Sequence, residues 1–300
     1  MSNSNYHISV LPAETLKYLN IRPGGIYIDG TVGDGGHTRL ILEAGGKVLA
    51  IDQDPEALQR TAERFGMGKE LNADLTLKTE DLTLTRGNFA NVSEIAKRNG
   101  FRQVDGVILD LGVSSHQMDE GSRGFSFGKD APLDMRMDPK LGVTAADLVN
   151  ALGKNELNEL FNKYSQEKFS RVIADAIVSA RKVGKIETTG ELAGIVESVK
   201  SVRDRGKIHP ATKVFQALRI AVNDEMGNLE AGLASALLIL KPGGRLVVIS
   251  FHELEDRIVK KFMDNPSLKK ITDGIIQASD EEINTNRRSR SARLRAAEKV

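Results

Sequence analysis

The chain has 300 residues, a formal net charge of +1, 40% hydrophobic and 28% charged content, and no cysteine. It is long and apolar enough to bury a sizeable core and too apolar to be disordered. The missing thiols exclude disulfides, thiolate nucleophiles, zinc ribbons and iron–sulfur clusters. No apolar run approaches the roughly 18–20 residues of a membrane helix, and the opening MSNSNYHISV lacks the basic and apolar regions of a signal peptide. A soluble, cytoplasmic protein with no membrane partner is expected.

In chain order, Ile26-Tyr27-Ile28 predicts a short strand, followed by Gly30, Gly33, Gly35 and Gly36 and a helical Arg39-Leu40-Ile41-Leu42. A second strand, Lys47–Ile51, ends in Asp52. This βαβ opening implies a parallel sheet with right-handed crossovers. Residues 55–65 predict a helix with Pro55 in its first turn and an apolar face of Ala57, Leu58, Ala62 and Phe65. The runs Val107-Ile108-Leu109 before Asp110 and Leu246–Ile249 before Ser250 read as strands buried on both faces. Between them, 112–139 is rich in Gly, Ser, Asp, Met and Pro and predicts a long functional loop. Leu157, Leu160, Phe161 and Tyr164 then repeat at i, i+3, i+4, i+7, as do Ile173, Ala176, Ile177 and Ala180, and Leu192, Ile195, Val196 and Val199. They predict a small helical domain inserted into an α/β domain, with 1–115 and 210–300 forming the latter and 116–209 the insert. His209-Pro210 marks the return, 211–240 supplies helices, and Lys241–Gly244 a loop before the late strand. The last fourteen residues hold Arg287, Arg288, Arg290, Arg293, Arg295 and Lys299 against one acid, Glu298. That charge reads either as a solvated terminus or as a phosphate-binding arm.

The strongest local signal is the run Asp29–His37, DGTVGDGGH. Glycines after a first strand permit a sharp turn into a helix and close backbone approach to a ligand; a purely structural turn is the alternative. A nicotinamide enzyme would carry G-x-G-x-x-G, whereas here the spacing is Asp-x-x-x-Gly-x-Gly with Asp34 inside the loop. That carboxylate would repel a pyrophosphate and suit a cationic amino-acid ligand such as S-adenosylmethionine. Asp52, at the end of the second strand, is placed to accept ribose hydroxyls. Asp110 ends the next buried strand, where ligands sit in open α/β sheets; its alternative is a turn or cap carboxylate. Phe89 reads as core or as a cover for an adenine ring. His7, His116, His209 and His252 have no partner at helical spacing, so no metal is expected. Neither a nucleophile elbow nor an NTPase loop is present.

Several longer motifs carry a resemblance. Asp29–His37, Asp110–Ser115 (DLGVSS), Arg123–Phe127 (RGFSF), Pro132–Asp138 (PLDMRMD), His209–Thr212, Phe215–Arg219, Ile249–His252 and Leu254–Arg257 resemble those of the ribosomal small-subunit methyltransferase H family, also called MraW. The likeness runs from about His7 to Glu298. It implies an α/β fold, a class I S-adenosylmethionine-dependent methyltransferase (Rossmann-like) domain with a helical insert. It implies methylation of N4 of a cytidine in the decoding region of 16S rRNA within the small ribosomal subunit or its precursor. Cofactor contacts are implied at Gly35, Gly36, His37, Asp52, Phe89, Asp110 and Gln117. Two departures stand out: Glu253 where the family often has Ser, and Asn286-Arg287-Arg288 where Asn-Pro-Arg is common.

The N4 lone pair of cytosine is delocalised into its ring, so a site must align that nitrogen and accept hydrogen bonds from its N–H groups. Asp110 and the Leu111–Ser115 loop are the candidates for this edge, Asp110 being the catalytic one. The segment 116–138 and the insert would shape the pocket for an unstacked base. Two rivals are a nicotinamide-dependent oxidoreductase using the same turn and a non-catalytic RNA-binding ribosome-assembly factor.

Overall fold

A computed structural model describes residues 8–68, 76–200 and 209–300. His7 lies outside them. Two compact units emerge, residues 1–112 with 226–300, and residues 113–225.

The first unit opens with α1 (Pro12–Leu19), β1 (Ile26–Asp29), α2 (Gly36–Glu43), β2 (Lys47–Asp52) and α3 (Pro55–Arg64). It continues with β3 (Thr76–Lys78), β4 (Leu82–Arg86), α4 (Val92–Arg98) and β5 (Val104–Asp110). The second unit carries α5 (Ser115–Asp119), α6 (Ala145–Ala151), α7 (Lys154–Ser165), α8 (Ser170–Ala180), α9 (Thr189–Val199) and α10 (Thr212–Val222). The chain returns through α11 (Glu225–Ile239), β6 (Leu240–Ser250), α12 (Glu253–Phe262), β7 (Leu268–Lys270), α13 (Asp280–Thr285) and β8 (Arg293–Lys299).

The strands form one sheet in the order β3-β4-β2-β1-β5-β6-β8-β7. From β4 to β6 every pairing is parallel, while β8 runs antiparallel to both β6 and β7. Side chains alternate across the pleat. Ile28, Leu49, Ile51, Val107, Leu109, Leu246 and Val248 pack with α4, α11 and α12 on one face. Tyr27, Val48, Ala50, Ile108, Val247 and Ile249 pack with α1, α2 and α3 on the other. This is the doubly wound, Rossmann-like arrangement that the resemblance implies. The winding reverses between β1 and β5, so their carboxyl ends border the crevice where open α/β sheets bind ligands.

The three helical repeats appear as α7, α8 and α9, which share a core of Leu157, Phe161, Ile173, Ile177, Leu192 and Val196. Two sequence expectations are corrected. The return falls after Glu225 rather than at 210, because Val214, Phe215 and Leu218 of α10 bury in the helical core. The segment 112–139 is largely irregular, but its Phe125, Leu133, Met135 and Met137 are buried in that core. Asn223 clamps it, donating Nδ2–H to the Met135 carbonyl and accepting from the Met137 N–H, at 2.8 and 2.7 Å. Lys241–Gly244 bulges inside β6 rather than preceding it, at a shift in register against β5.

Residues 293–299 of the basic end form a strand packed into the sheet rather than a solvated terminus or an arm, while Arg287 and Arg290 stay exposed. Leu294, Ala296 and Ala297 are buried, and β8 fills the slot between β6 and β7. Arg295 grips Asp256 with two hydrogen bonds of 2.6 and 3.1 Å, and the Lys299 ammonium donates to the carbonyls of Leu237 and Leu240.

Candidate active site

The parallel strands end side by side in Asp29, Asp52, Arg86, Asp110 and Ser250. The turn after β1 is stitched to both neighbours. Gly30 N–H donates to the Ile108 carbonyl and Val32 N–H to that of Ile51, each at 3.0 Å. The Asp110 N–H donates to Thr31 Oγ1 at 2.7 Å, and the Gly33 N–H to Asp52 Oδ2 at 2.9 Å. The glycine turn therefore bridges the ends of β2 and β5 across the switch point.

Gly33 and Gly35 have φ of +52° and +73°, a region costly for other residues. A Cβ at Gly35 would stand 2.9 Å from the Phe65 ring and one at Gly36 would overlap Ser9 Oγ. Backbone and packing thus demand glycine at Gly35, while a side chain at Gly36 would require Ser9 to turn away. Asp34, expected to favour a cationic ligand, is already neutralised: its carboxylate meets Arg60 Nε at 2.8 Å and its carbonyl accepts from Arg64 at 2.6 Å. The turn is held to α3 by this pair, so the charge of Asp34 is spent on the fold.

Asp52 accepts the Gly33 N–H on one oxygen and the Asp54 N–H, at 2.9 Å, on the other. Each oxygen keeps a second lone pair for a hydroxyl donor. Burial pushes this carboxyl up to about 6, against the pull of the two backbone hydrogen bonds. Asp29, which the sequence motif contained without a role, is fully buried, accepts Thr38 Oγ1–H at 2.7 Å and is likewise raised by burial.

His37, in the first turn of α2, is 5% exposed. Its Nε2 lies 3.4 Å from Asp110 Oδ2, a long contact. Burial acts to lower its pKa, but the Asp110 carboxylate, Asp29 and Glu282 outweigh burial and hold it above the ordinary histidine value. His37 Nδ1 and Asp110 Oδ1 are buried and without a hydrogen-bond partner. A buried polar atom without a partner is costly, so both atoms mark the place where a ligand would complete the site.

Phe89 follows β4 in a 3-10 turn and packs against Gly232 of α11, where a Cβ would overlap its ring. It remains partly exposed. Gln117 belongs to the other unit. It is buried, and its Oε1 accepts the Ser114 N–H at 3.0 Å to close the capping box that starts α5. Glu253 forms an exposed pair with Arg257, outside the sheet-end cluster. The histidines expected to stand alone meet carboxylates: His116 with Glu120 at 2.9 Å, His209 with Glu197 at 2.6 Å and His252 with Glu255 at 3.3 Å. His209 also stacks on Phe127, centroids 4.2 Å apart.

The family model of the MraW methylase family matches residues 4–300. The chain belongs to that family. Proteins called ribosomal RNA small subunit methyltransferase H are similar throughout. That of Geobacter sulfurreducens is 48% identical over 98% of this chain and 99% of its own. That of Deinococcus deserti is 49% identical over 100% and 95%. Among solved structures, a putative rRNA-methylase from Clostridium thermocellum aligns over 98% of both chains at 13% identity and a TM-score of 0.45, which adds nothing to the assignment. As a member of the family the chain is a methyltransferase, and S-adenosylmethionine is its methyl donor. The residues fit such a group: Asp52 offers unused lone pairs for ribose hydroxyls, and the orphaned atoms of His37 and Asp110 stand across β1 at the end of β5. Among the described residues no helix is long and apolar enough to cross a membrane.

Proposed function

We propose that this methyltransferase transfers the methyl group of S-adenosylmethionine to N4 of a cytidine in the decoding region of 16S rRNA, within the small ribosomal subunit or its precursor, in the cytoplasm. Full-length similarity to proteins named as small-subunit rRNA methyltransferases supports the substrate class. The observation that carries the chemistry is the orphaned Asp110 Oδ1 at the switch point. An exocyclic amine presents N–H donors, and a carboxylate oxygen with an unused lone pair is the complement it needs.

When bound, the cofactor supplies an electrophilic methyl group on a sulfonium. Asp52 would hold the ribose through its remaining lone pairs, the Gly33–Gly36 turn would lie along the cofactor, and Phe89 and His37 would complete its surroundings. Asp110 accepts an amine N–H on Oδ1, orienting N4 and drawing its lone pair out of the ring. The amine must lose one proton as its new N–C bond forms. Asp110 can receive it on Oδ1, while His37 stands 3.4 Å from the other carboxylate oxygen. Positioning of this kind supplies up to about 7–11 kcal/mol in favourable cases.

The test is methyl transfer from labelled cofactor to immature small subunits, with the product nucleoside identified by mass spectrometry. N4-methylcytidine at one decoding-region position is expected. Label on another base or another RNA would overturn the assignment. Substrate RNA bound without transfer would favour an assembly factor.

A further inference from the structure

The basic end of the sequence does not act as a flexible arm, yet two of its arginines remain outside the packing. The geometry points to a phosphodiester-binding site formed by Arg287 and Arg290, which grips the RNA strand beside the methylation site. This inference rests on the RNA substrate proposed above.

The five residues Arg287–Ser291 form a 3-10 helix. With three residues per turn, side chains at i and i+3 lie one above the other, so Arg287 and Arg290 share one edge. Both are exposed. With Ile283 and Asn284 they line an open pocket of about 440 Å³. The two guanidiniums present forks of N–H donors suited to phosphate oxygens, and Asn284 adds an amide able to meet a ribose hydroxyl. Their neighbours in sequence are committed to the fold: Arg293 and Arg295 face Asp256.

The scaffold beneath the pair is fixed. Ser289 is fully buried and its hydroxyl donates to the Asn286 carbonyl at 2.7 Å. The Asn286 amide donates to the Ile8 carbonyl at 3.0 Å, and Glu282 Oε1 accepts the Leu11 N–H at 2.7 Å. A pre-ordered support lowers the entropy cost of gripping a ligand. It also fixes the location. Ser9, within the clamped segment, packs against Gly36, and the charge of Glu282, next to the pocket-lining Ile283, reaches His37. The segment that carries the pocket is therefore tied, through residues 8–11, to the glycine turn. Asp280 and Glu281 are exposed at the far end of α13 and direct the strand towards the arginine end.

The test uses the full chain with Arg287→Gln and Arg290→Gln together. Binding of a single-stranded oligoribonucleotide and of immature small subunits is followed against salt. Each lost phosphate contact should flatten the log–log slope by about 0.7, so about 1.4 for the pair. Paired Arg→Lys changes should restore most of the slope, and S-adenosylhomocysteine affinity and melting temperature should match wild type. An unchanged slope in the Gln variant while wild type binds RNA overturns the site alone. Failure of wild type to bind any RNA overturns the substrate assignment and the site with it. A parallel fall in S-adenosylhomocysteine affinity would show that the segment acts on the glycine turn instead, and would also overturn the site.

Discussion

Asp52 is held above its ordinary range by burial, near 6 instead of 3.8. At about 1.36 kcal/mol per pH unit, keeping it ionised at neutral pH costs the free protein about 3 kcal/mol relative to an exposed aspartate. Donors from a ribose diol offset part of that cost, because they bond to the anion far better than to the neutral acid. Cofactor binding should therefore lower the Asp52 pKa and release protons near pH 6. Calorimetric titration of S-adenosylhomocysteine from pH 5 to 8 should give an affinity that is flat above about pH 7 and falls below about pH 6, approaching tenfold per unit. Asp52→Asn should remove that inflection and weaken binding by about 1.5–3 kcal/mol. The variant also separates Asp52 from His37, which titrates nearby. Wild-type affinity constant from pH 8 to 5, or normal affinity in Asp52→Asn, would refute the assignment. The same shift sets a stability trend in the free protein. A carboxyl whose folded pKa is raised contributes stability below about pH 4 that is lost as pH rises through about 6. Asp29 is shifted in the same direction, so thermal melts of the free protein should fall as pH rises through this range, and His37, raised from 6.5, extends the fall to higher pH.

Asp110→Asn should lower single-turnover methyl transfer at saturating cofactor by about tenfold or more, about 1.4 kcal/mol; a change confined to cofactor affinity would make Asp110 a binding residue. Gly35→Val should abolish S-adenosylhomocysteine binding through the strained φ of +73° and the Phe65 contact, while circular dichroism and a melt report a folded chain; normal binding would show that the turn is structural only. Lys200 is 8% exposed and meets Glu167 at 2.8 Å, so Lys200→Ala should strand a buried carboxylate and destabilise the protein by about 3–5 kcal/mol, read by urea denaturation. Lys200→Met with Glu167→Gln should recover most of that loss, and failure to recover would mean that the pair is not what holds the segment.

The sheet's parallel half was legible because its signals are local: apolar runs ending in Asp52 and Asp110, glycines after Asp29, helical repeats at fixed spacing. β8 was hidden by its composition. Leu294 and Ala296 alternate with Arg293 and Arg295 at strand period, but alanine carries little hydropathy and the arginines dominate the count. The partner that makes those arginines structural, Asp256, lies 39 residues earlier, beyond any window of sequence. Met135 and Met137 escaped for a related reason, since buried side chains in irregular backbone have no period to detect. At the site, residue types at the strand ends were readable. What they do with their charges was not: Asp34 looked like a ligand contact until Arg60 was seen beside it, and the His37–Asp110 contact joins residues far apart in sequence.

The position of β8 has a consequence for biosynthesis. Because β8 separates β6 from β7, those two strands cannot be bridged on a nascent chain until residues 293–299 have left the ribosome. The clamp on the beginning of the chain is equally late, since Leu11 waits for Glu282, 271 positions downstream. Until then β6 presents an open edge, a template for pairing with another chain. Folding during synthesis can complete the parallel half and the helical unit, but the catalytic sheet closes only once β8 has emerged. Changes near residue 300, which look peripheral in sequence, should therefore act on folding yield and aggregation before they act on catalysis.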